Sequence, residues 1–122
     1  KISYRFNDIE RFDIVVIHHH DTYIIKRLIG LPGEHIMYSD NKLYVDGELI
    51  EENYKHAKTE NYSIDQLDSK VIPDNSYFVL GDNRNNSEDS RSANIGIVKK
   101  KNIIGKAWIH LGAGENTIGF VK

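Results

Sequence analysis

The sequence has 122 residues, of which 28% are charged and 10% aromatic, and a formal net charge of −2. That length suits one domain with a modest core and is too short for two. Interspersed charges of both signs exclude a nucleic-acid surface or a polybasic membrane patch, and the absence of cysteine excludes disulfide frameworks, cysteine zinc sites and thiol catalysis.

No apolar run approaches the ~20 residues of a membrane span, and no signal peptide is visible. The chain starts at Lys1-Ile2-Ser3-Tyr4 without methionine, so the expectation is a fragment of a longer protein. Lys1 to Glu10 is polar with scattered aromatics. Arg11-Phe12-Asp13-Ile14-Val15-Val16-Ile17 is a β-branched run and predicts a strand. His18-His19-His20-Asp21 follows. Adjacent strand residues alternate sides, whereas metal ligands must converge, so the expectation is a solvated hairpin end and no metal.

Tyr23 to Ile29 is again apolar and β-prone, interrupted by Lys26-Arg27. Alternation puts these cations on opposite faces, and a buried face does not hold an unpaired one. One face is solvent and the other a site or a paired interior, and pattern alone leaves open which cation is inside. Taken alone, such a lysine also reads as a solvated edge-strand residue. Gly30 and Pro32-Gly33 end the strand.

Hairpin signals come next. Ile36-Met37-Tyr38 leads to a turn at Asp40-Asn41, and Leu43-Tyr44-Val45 to a turn at Asp46-Gly47 before Leu49-Ile50. Residues 51–70 are polar and aperiodic and read as a surface excursion, with a helical turn at Ser63 to Leu67 capped by Ser63. Val71 to Asn75 is a turn. Tyr77 to Leu80 is a short apolar run that reads as a buried strand.

That strand stops at Gly81-Asp82-Asn83, and eight polar residues follow from Arg84 to Arg91. If Ser87 to Arg91 is extended, Ser87, Asp89 and Arg91 share one side. Asp89 and Arg91 then pair, leaving the Ser87 hydroxyl to hold a third group. The plainer alternative is a solvated loop with a surface ion pair that contributes only ~0–1 kcal/mol. Ser92 to Gly96 reads as a flexible connection, and Lys99-Lys100-Lys101 as a solvated turn. Ile103 to Ile109 is the last strong strand, and Leu111 to Lys122 is weakly patterned. At least six strand-like runs without a long amphipathic helix predict a mostly-β single domain over 1–122.

Three stretches together resemble the bacterial type I signal peptidases, membrane-anchored serine proteases with a Ser–Lys dyad. Gly81-Asp82-Asn83-Arg84 with Ser87, Asp89, Ser90 and Arg91 resembles that family's last conserved box. Lys26 to Gly33 resembles its fourth box, and Arg11 to Val16 its third, with Phe12 where glycine is usual and Glu34 where aspartate is commoner. The resemblance runs from about Arg11 to Trp108. It implies an all-β catalytic domain of large, coiled antiparallel sheets, and no metal or cofactor.

It also implies roles. Lys26 is the general base, oriented by Ser87, with Gly81, Asp82, Asn83, Asp89 and Arg91 supporting the loop. A lysine base must be neutral, and burial lowers the free value of about 10.4. The backbone at Tyr23, Ile24 and Ile25 is expected to pair with an extended substrate as an added strand, and the Ile24 and Ile25 side chains to help line shallow pockets for small residues. The implied partners are secretory preproteins, and the implied location is the extracytoplasmic face of the cell membrane, through an N-terminal anchor.

The family's nucleophile lies in a Ser-Met-x-Pro type box before the third box, and no Ser-Met pair occurs in the 122 residues. Ser3, in Ile-Ser-Tyr-Arg, does not match it. The expectation is a nucleophile N-terminal to Lys1, with the chain inactive by itself. The competing reading is a non-catalytic relative that binds peptides or assists surface-protein or pilus assembly. Such a relative has no need of Lys26.

Overall fold

The computed structural model describes residues 9–67, 70–112 and 115–120, from residue 108 onward as backbone alone. Strands β1 (Ile14–His19), β2 (Thr22–Gly30), β7 (Ser76–Leu80), β8 (Val98–Lys99), β9 (Ile103–Gly112) and β10 (Glu115–Phe120) form one sheet, in the order β10-β9-β1-β2-β7-β8. Strands β3 (Ile36–Ser39), β4 (Lys42–Val45), β5 (Glu48–Ile50) and β6 (Tyr62–Ser63) form a second, in the order β5-β4-β3-β6. Every pairing is antiparallel. The fold is therefore the all-β antiparallel architecture the strand-like runs predict. Among the described residues no helix is long and apolar enough to cross a membrane.

The second sheet follows from its turns. Asp40 and Asn41 both have positive φ (52° and 65°), as do Asp46 and Gly47 (52° and 83°). Two such residues make the tight turn whose twist matches antiparallel strands, so register across β3, β4 and β5 is fixed locally. Ser63 caps a 3-10 turn at Ile64–Leu67, its hydroxyl accepting from the Asp65 amide at 3.2 Å.

All five residues of β7 are buried because apolar clusters cover both of its faces. Phe78 and Leu80 join Ile29, Ile36, Tyr38 and Leu43 between the sheets. Tyr77 and Val79 join Val15, Ile17, Leu28 and Ile103 on the opposite side. A strand covered on two faces has no polar alternation to show, which is why it reads as a continuous apolar run.

Three sequence expectations need revision. Residues 51–70 do not all lie at the surface: Thr59, Tyr62 and Ile64 are buried, and the Glu52 side chain is 5% exposed. Aperiodic order hid this, because the segment fills the interior from a loop (Glu52, Thr59) and from very short elements (Tyr62 in β6, Ile64 in the 3-10 turn) that are too brief to show a period. Ser92 to Gly96 is a hydrogen-bonded turn, with the Ile95 and Gly96 amides donating to the Ser92 carbonyl. Beyond Leu111, β10 pairs with β9 from Glu115↔Gly112 to Phe120↔Ala107; its backbone ladder does not need an alternating apolar pattern.

Phe12 has φ of +75°, a left-handed conformation that a side chain disfavours. The chain bends there between two bonds to one residue, Phe12 N to the Leu28 carbonyl at 2.6 Å and Leu28 N to the Asp13 carbonyl at 2.8 Å. Nearby, Glu34 takes both guanidinium nitrogens of Arg11 at 2.7 Å each and the Leu31 amide at 2.6 Å. The turn that ends β2 is thereby tied to the start of β1.

Candidate active site

Lys26 sits in β2 between Ile24 and Leu28, which both pack in the cluster containing Val15 and Val79. Its cross-strand partner is Val15. Its Nζ donates to Ser87 Oγ at 3.2 Å, across 61 residues of sequence. Arg27 points to the other face. There its Nε and Nη2 donate to the two Asp82 oxygens at 2.9 and 2.7 Å, and its Nη1 donates to the Phe12 carbonyl at 2.9 Å. The guanidinium lies over the Tyr54 ring, 4.0 Å from its centre. The question the sequence left open has a plain answer: both cations are half-buried, and each meets its own partner from the turn after β7.

Gly81 is the floor under this contact. A Cβ there would overlap Ser87 Oγ, come within 2.7 Å of Ser87 Cβ and stand 3.5 Å from Lys26 Nζ. Only a residue without a side chain lets the serine approach the lysine. The Gly81 peptide is held at both ends: its N–H donates to Asp89 Oδ2 at 3.1 Å, and its carbonyl accepts from Arg84 Nε at 2.9 Å. The Arg84 carbonyl accepts from Arg91 Nη2 at 2.8 Å. Arg91 also donates to Asp89 from Nε and Nη2 at 2.9 and 2.8 Å. These bonds close a ring through Gly81, Arg84, Arg91 and Asp89.

Asp89 is fully buried, so its pair with Arg91 is no surface decoration. Burial alone would raise its pKa. The Arg91 hydrogen bonds and charge, with the amides of Gly81 and Arg91, outweigh that and hold it below the ordinary 3.8. Ser90 continues the pairing along β7, its amide donating to the Val79 carbonyl at 3.0 Å and its hydroxyl accepting from the Val79 amide at 2.9 Å. Asn83 is exposed, and its carbonyl accepts from the Asn86 amide.

The β7 strand pairs with β2 only from Arg27 to Gly30. Among the described residues no strand flanks Thr22–Lys26 on that side, and the edge at Tyr23, Ile24 and Ile25 is open. Tyr23 is 63% exposed there, and Ile24 and Ile25 are half-buried. A pocket of about 150 Å³ beside Lys26 is lined by Ile14, Ile25, Lys26, Arg27, Gly81 and Asp82. An open strand edge can pair with an extended backbone, and the pocket is lined mainly from the Arg27 face of β2. Ser3 lies outside the described residues.

Sequence reasoning missed Arg84 as more than part of a motif, and missed Glu52, Tyr54 and Thr59 altogether. The Arg84 side chain is fully buried and uses all five N–H donors. Beyond Gly81, it reaches Tyr38 Oη at 3.3 Å, Thr59 Oγ1 at 2.7 Å, Glu52 Oε2 at 3.0 Å and Tyr54 Oη at 2.7 Å. The available signal was charge: a buried arginine needs an acid, and the loop's Asp89 is already taken by Arg91.

The chain is similar to known proteins in sequence and in fold. A family model described as "Signal peptidase, peptidase S26" matches residues 1–111. The chain is 44% identical over 116 residues to signal peptidase I V of Bacillus subtilis, covering 86% of this chain and 68% of that protein. It is 40% identical over 105 residues to signal peptidase I S of the same organism, covering 80% of this chain and 56% of that one. A crystal structure of a signal peptidase I from Enterococcus faecalis V583 superposes with a TM-score of 0.74 at 33% identity, covering 87% of this chain and 98% of that one. The chain thus spans a little over half to about two thirds of the length of these two Bacillus relatives.

Proposed function

The chain belongs to the signal peptidase S26 family, and from that premise we propose that it is the catalytic β domain of a signal peptidase, one unit over residues 1–122. In this reading it cleaves signal peptides from secretory preproteins with a Ser–Lys dyad. The observation that carries the reading is the Lys26–Ser87 contact over Gly81.

Lys26, as the neutral amine, is the general base. Ser87 orients that amine without adding charge, and the Asp89–Arg91 pair fixes the Ser87 loop. The attacking hydroxyl belongs to a serine N-terminal to Lys1, in keeping with relatives that are longer than this chain. The amine takes the hydroxyl proton as the serine oxygen bonds to the peptide carbonyl carbon. The carbon–nitrogen bond then breaks, the proton passes from Lys26 to the departing amine, and water hydrolyses the ester by the same route. The preprotein lies as an added strand along Tyr23 to Ile25. The protein works at the extracytoplasmic face of the cell membrane, held by an anchor preceding the serine.

The test compares two proteins on a secretory precursor peptide: residues 1–122, and the native full-length protein. Cleavage after a small residue by the longer protein alone is the expected result. Peptide binding without cleavage by the longer protein would replace this reading with that of a non-catalytic peptide-binding relative.

A further inference from the structure

Residues 52–59 belong to neither strand of the site, yet they grip it at several points. The Ala57 amide donates to the Asp82 carbonyl at 2.9 Å. The Tyr54 ring lies under Arg27 and against Phe12, with ring centres 5.2 Å apart in the second case. Glu52 Oε2 accepts from Tyr38 Oη at 2.9 Å, from Arg84 Nη2 at 3.0 Å and from the Tyr54 hydroxyl. With Glu52 5% exposed and Arg84 0%, this carboxylate is the counter-charge of a guanidinium that has no access to water. Removing it strands a buried cation, and Arg84 must move or recruit solvent.

Arg84 cannot move alone, because its Nε holds the Gly81 carbonyl at 2.9 Å and its own carbonyl is held by Arg91. A shift of Arg84 tilts the Gly81 peptide, on which Ser87 rests against Lys26. We infer that Glu52 is a positioning residue for the Lys26–Ser87 contact, acting through Arg84 and the Gly81 carbonyl; as a statement about catalysis this rests on the signal-peptidase reading. Glu52 touches neither Lys26 nor Ser87. Its effect is geometric, and geometry at a reacting centre is steep: a misplacement of ~1 Å can cost ~100-fold in rate.

The experiment uses the native full-length protein and the variants Glu52→Gln, Tyr54→Phe, Ser87→Ala and, as a control at an exposed neighbour, Glu51→Gln. Two readouts are taken: kcat and KM on a precursor peptide, and the rate of trace acetylation of the Lys26 amine by acetic anhydride, read by mass spectrometry. For Glu52→Gln, kcat should fall about tenfold or more with KM changed by less than about twofold, a loss confined to the transition state. Its Lys26 acetylation rate should move at least about threefold toward that of Ser87→Ala, while Glu51→Gln matches wild type. Tyr54→Phe removes one acceptor from Arg84 and should move both readouts the same way by less.

A folded Glu52→Gln protein with wild-type Lys26 acetylation and a lowered melting temperature would overturn the inference, leaving Glu52 a purely structural residue. If Glu52→Gln does not fold, Tyr54→Phe decides by the same readouts. If wild type cleaves no precursor, the functional reading fails by itself and the acetylation rates still judge the coupling.

Discussion

The space that a side chain at Gly81 would fill is occupied by the hydroxyl of Ser87. Because Lys26 donates to that hydroxyl at 3.2 Å, the glycine sets the distance between a strand lysine and a loop hydroxyl. Gly81→Ala should therefore expel Ser87 from its seat, with an overpacking cost of about 1–3 kcal/mol. Activity in the full-length protein should fall far more than the melting temperature explains. A crystal structure of the variant with the Lys26–Ser87 contact intact would refute this.

Lys26→Ala and Ser87→Ala separate the two partners. Lys26 is half-buried and its loss should leave the fold intact while abolishing cleavage, since a positioned base contributes roughly 10²–10⁴-fold. Retained turnover would remove Lys26 from the base's role. Ser87→Ala should lose much of the rate at a smaller cost in stability and should displace the pH–rate profile. An unchanged profile would mean that the hydroxyl does not act on the amine.

Much of this site was legible in the sequence, and the limit is physical. Lys26 and Arg27 stood out as cations in an apolar strand, and Asp89 and Arg91 as a pair in a polar loop. That loop bends at Asp89 and turns at Ser90 and Arg91, and is not the extended run in which alternation would align Ser87 with them. Turns at Asp40-Asn41 and Asp46-Gly47 were local, and local chemistry survives in a sequence. The network of Glu52, Tyr54, Thr59 and Arg84 was not legible. Arg84 meets the other three over 25 to 32 residues of chain, and those three lie in a segment with no period, so neither face nor spacing links them to it. The strand β10 was missed because its six residues are only weakly patterned, with two large apolar side chains, Ile118 and Phe120.

Asp89 gives a pH dependence with a definite sign. Its folded pKa lies below the ordinary 3.8, so the unfolded chain binds more protons in acid. The stabilisation is fully present above about pH 4 and is lost as pH falls through the folded value. Asp89→Asn should destabilise by about 2–4 kcal/mol at neutral pH, because it leaves the half-buried Arg91 without its anion and weakens the support of Gly81. The gap in melting temperature between wild type and Asp89→Asn should narrow as pH is lowered below about 4. A gap that is constant down to pH ~2 would show that the carboxylate charge contributes nothing to the ring.

Phe12 carries two opposed effects that one pair of variants can separate. Its φ of +75° is costly for a residue with a Cβ, by about 1–2 kcal/mol. Its ring packs against Tyr54, and its carbonyl holds Arg27. Phe12→Gly relieves the backbone and keeps the carbonyl, but gives up the ring contact, so stability should change by less than about 1 kcal/mol. Phe12→Val loses the ring and puts a β-branched residue in the least tolerant conformation, and should be less stable than the glycine variant by about 1–2 kcal/mol. Denaturant titration of the three proteins decides it. If valine and glycine are equally stable, the left-handed backbone at residue 12 is not what that position demands.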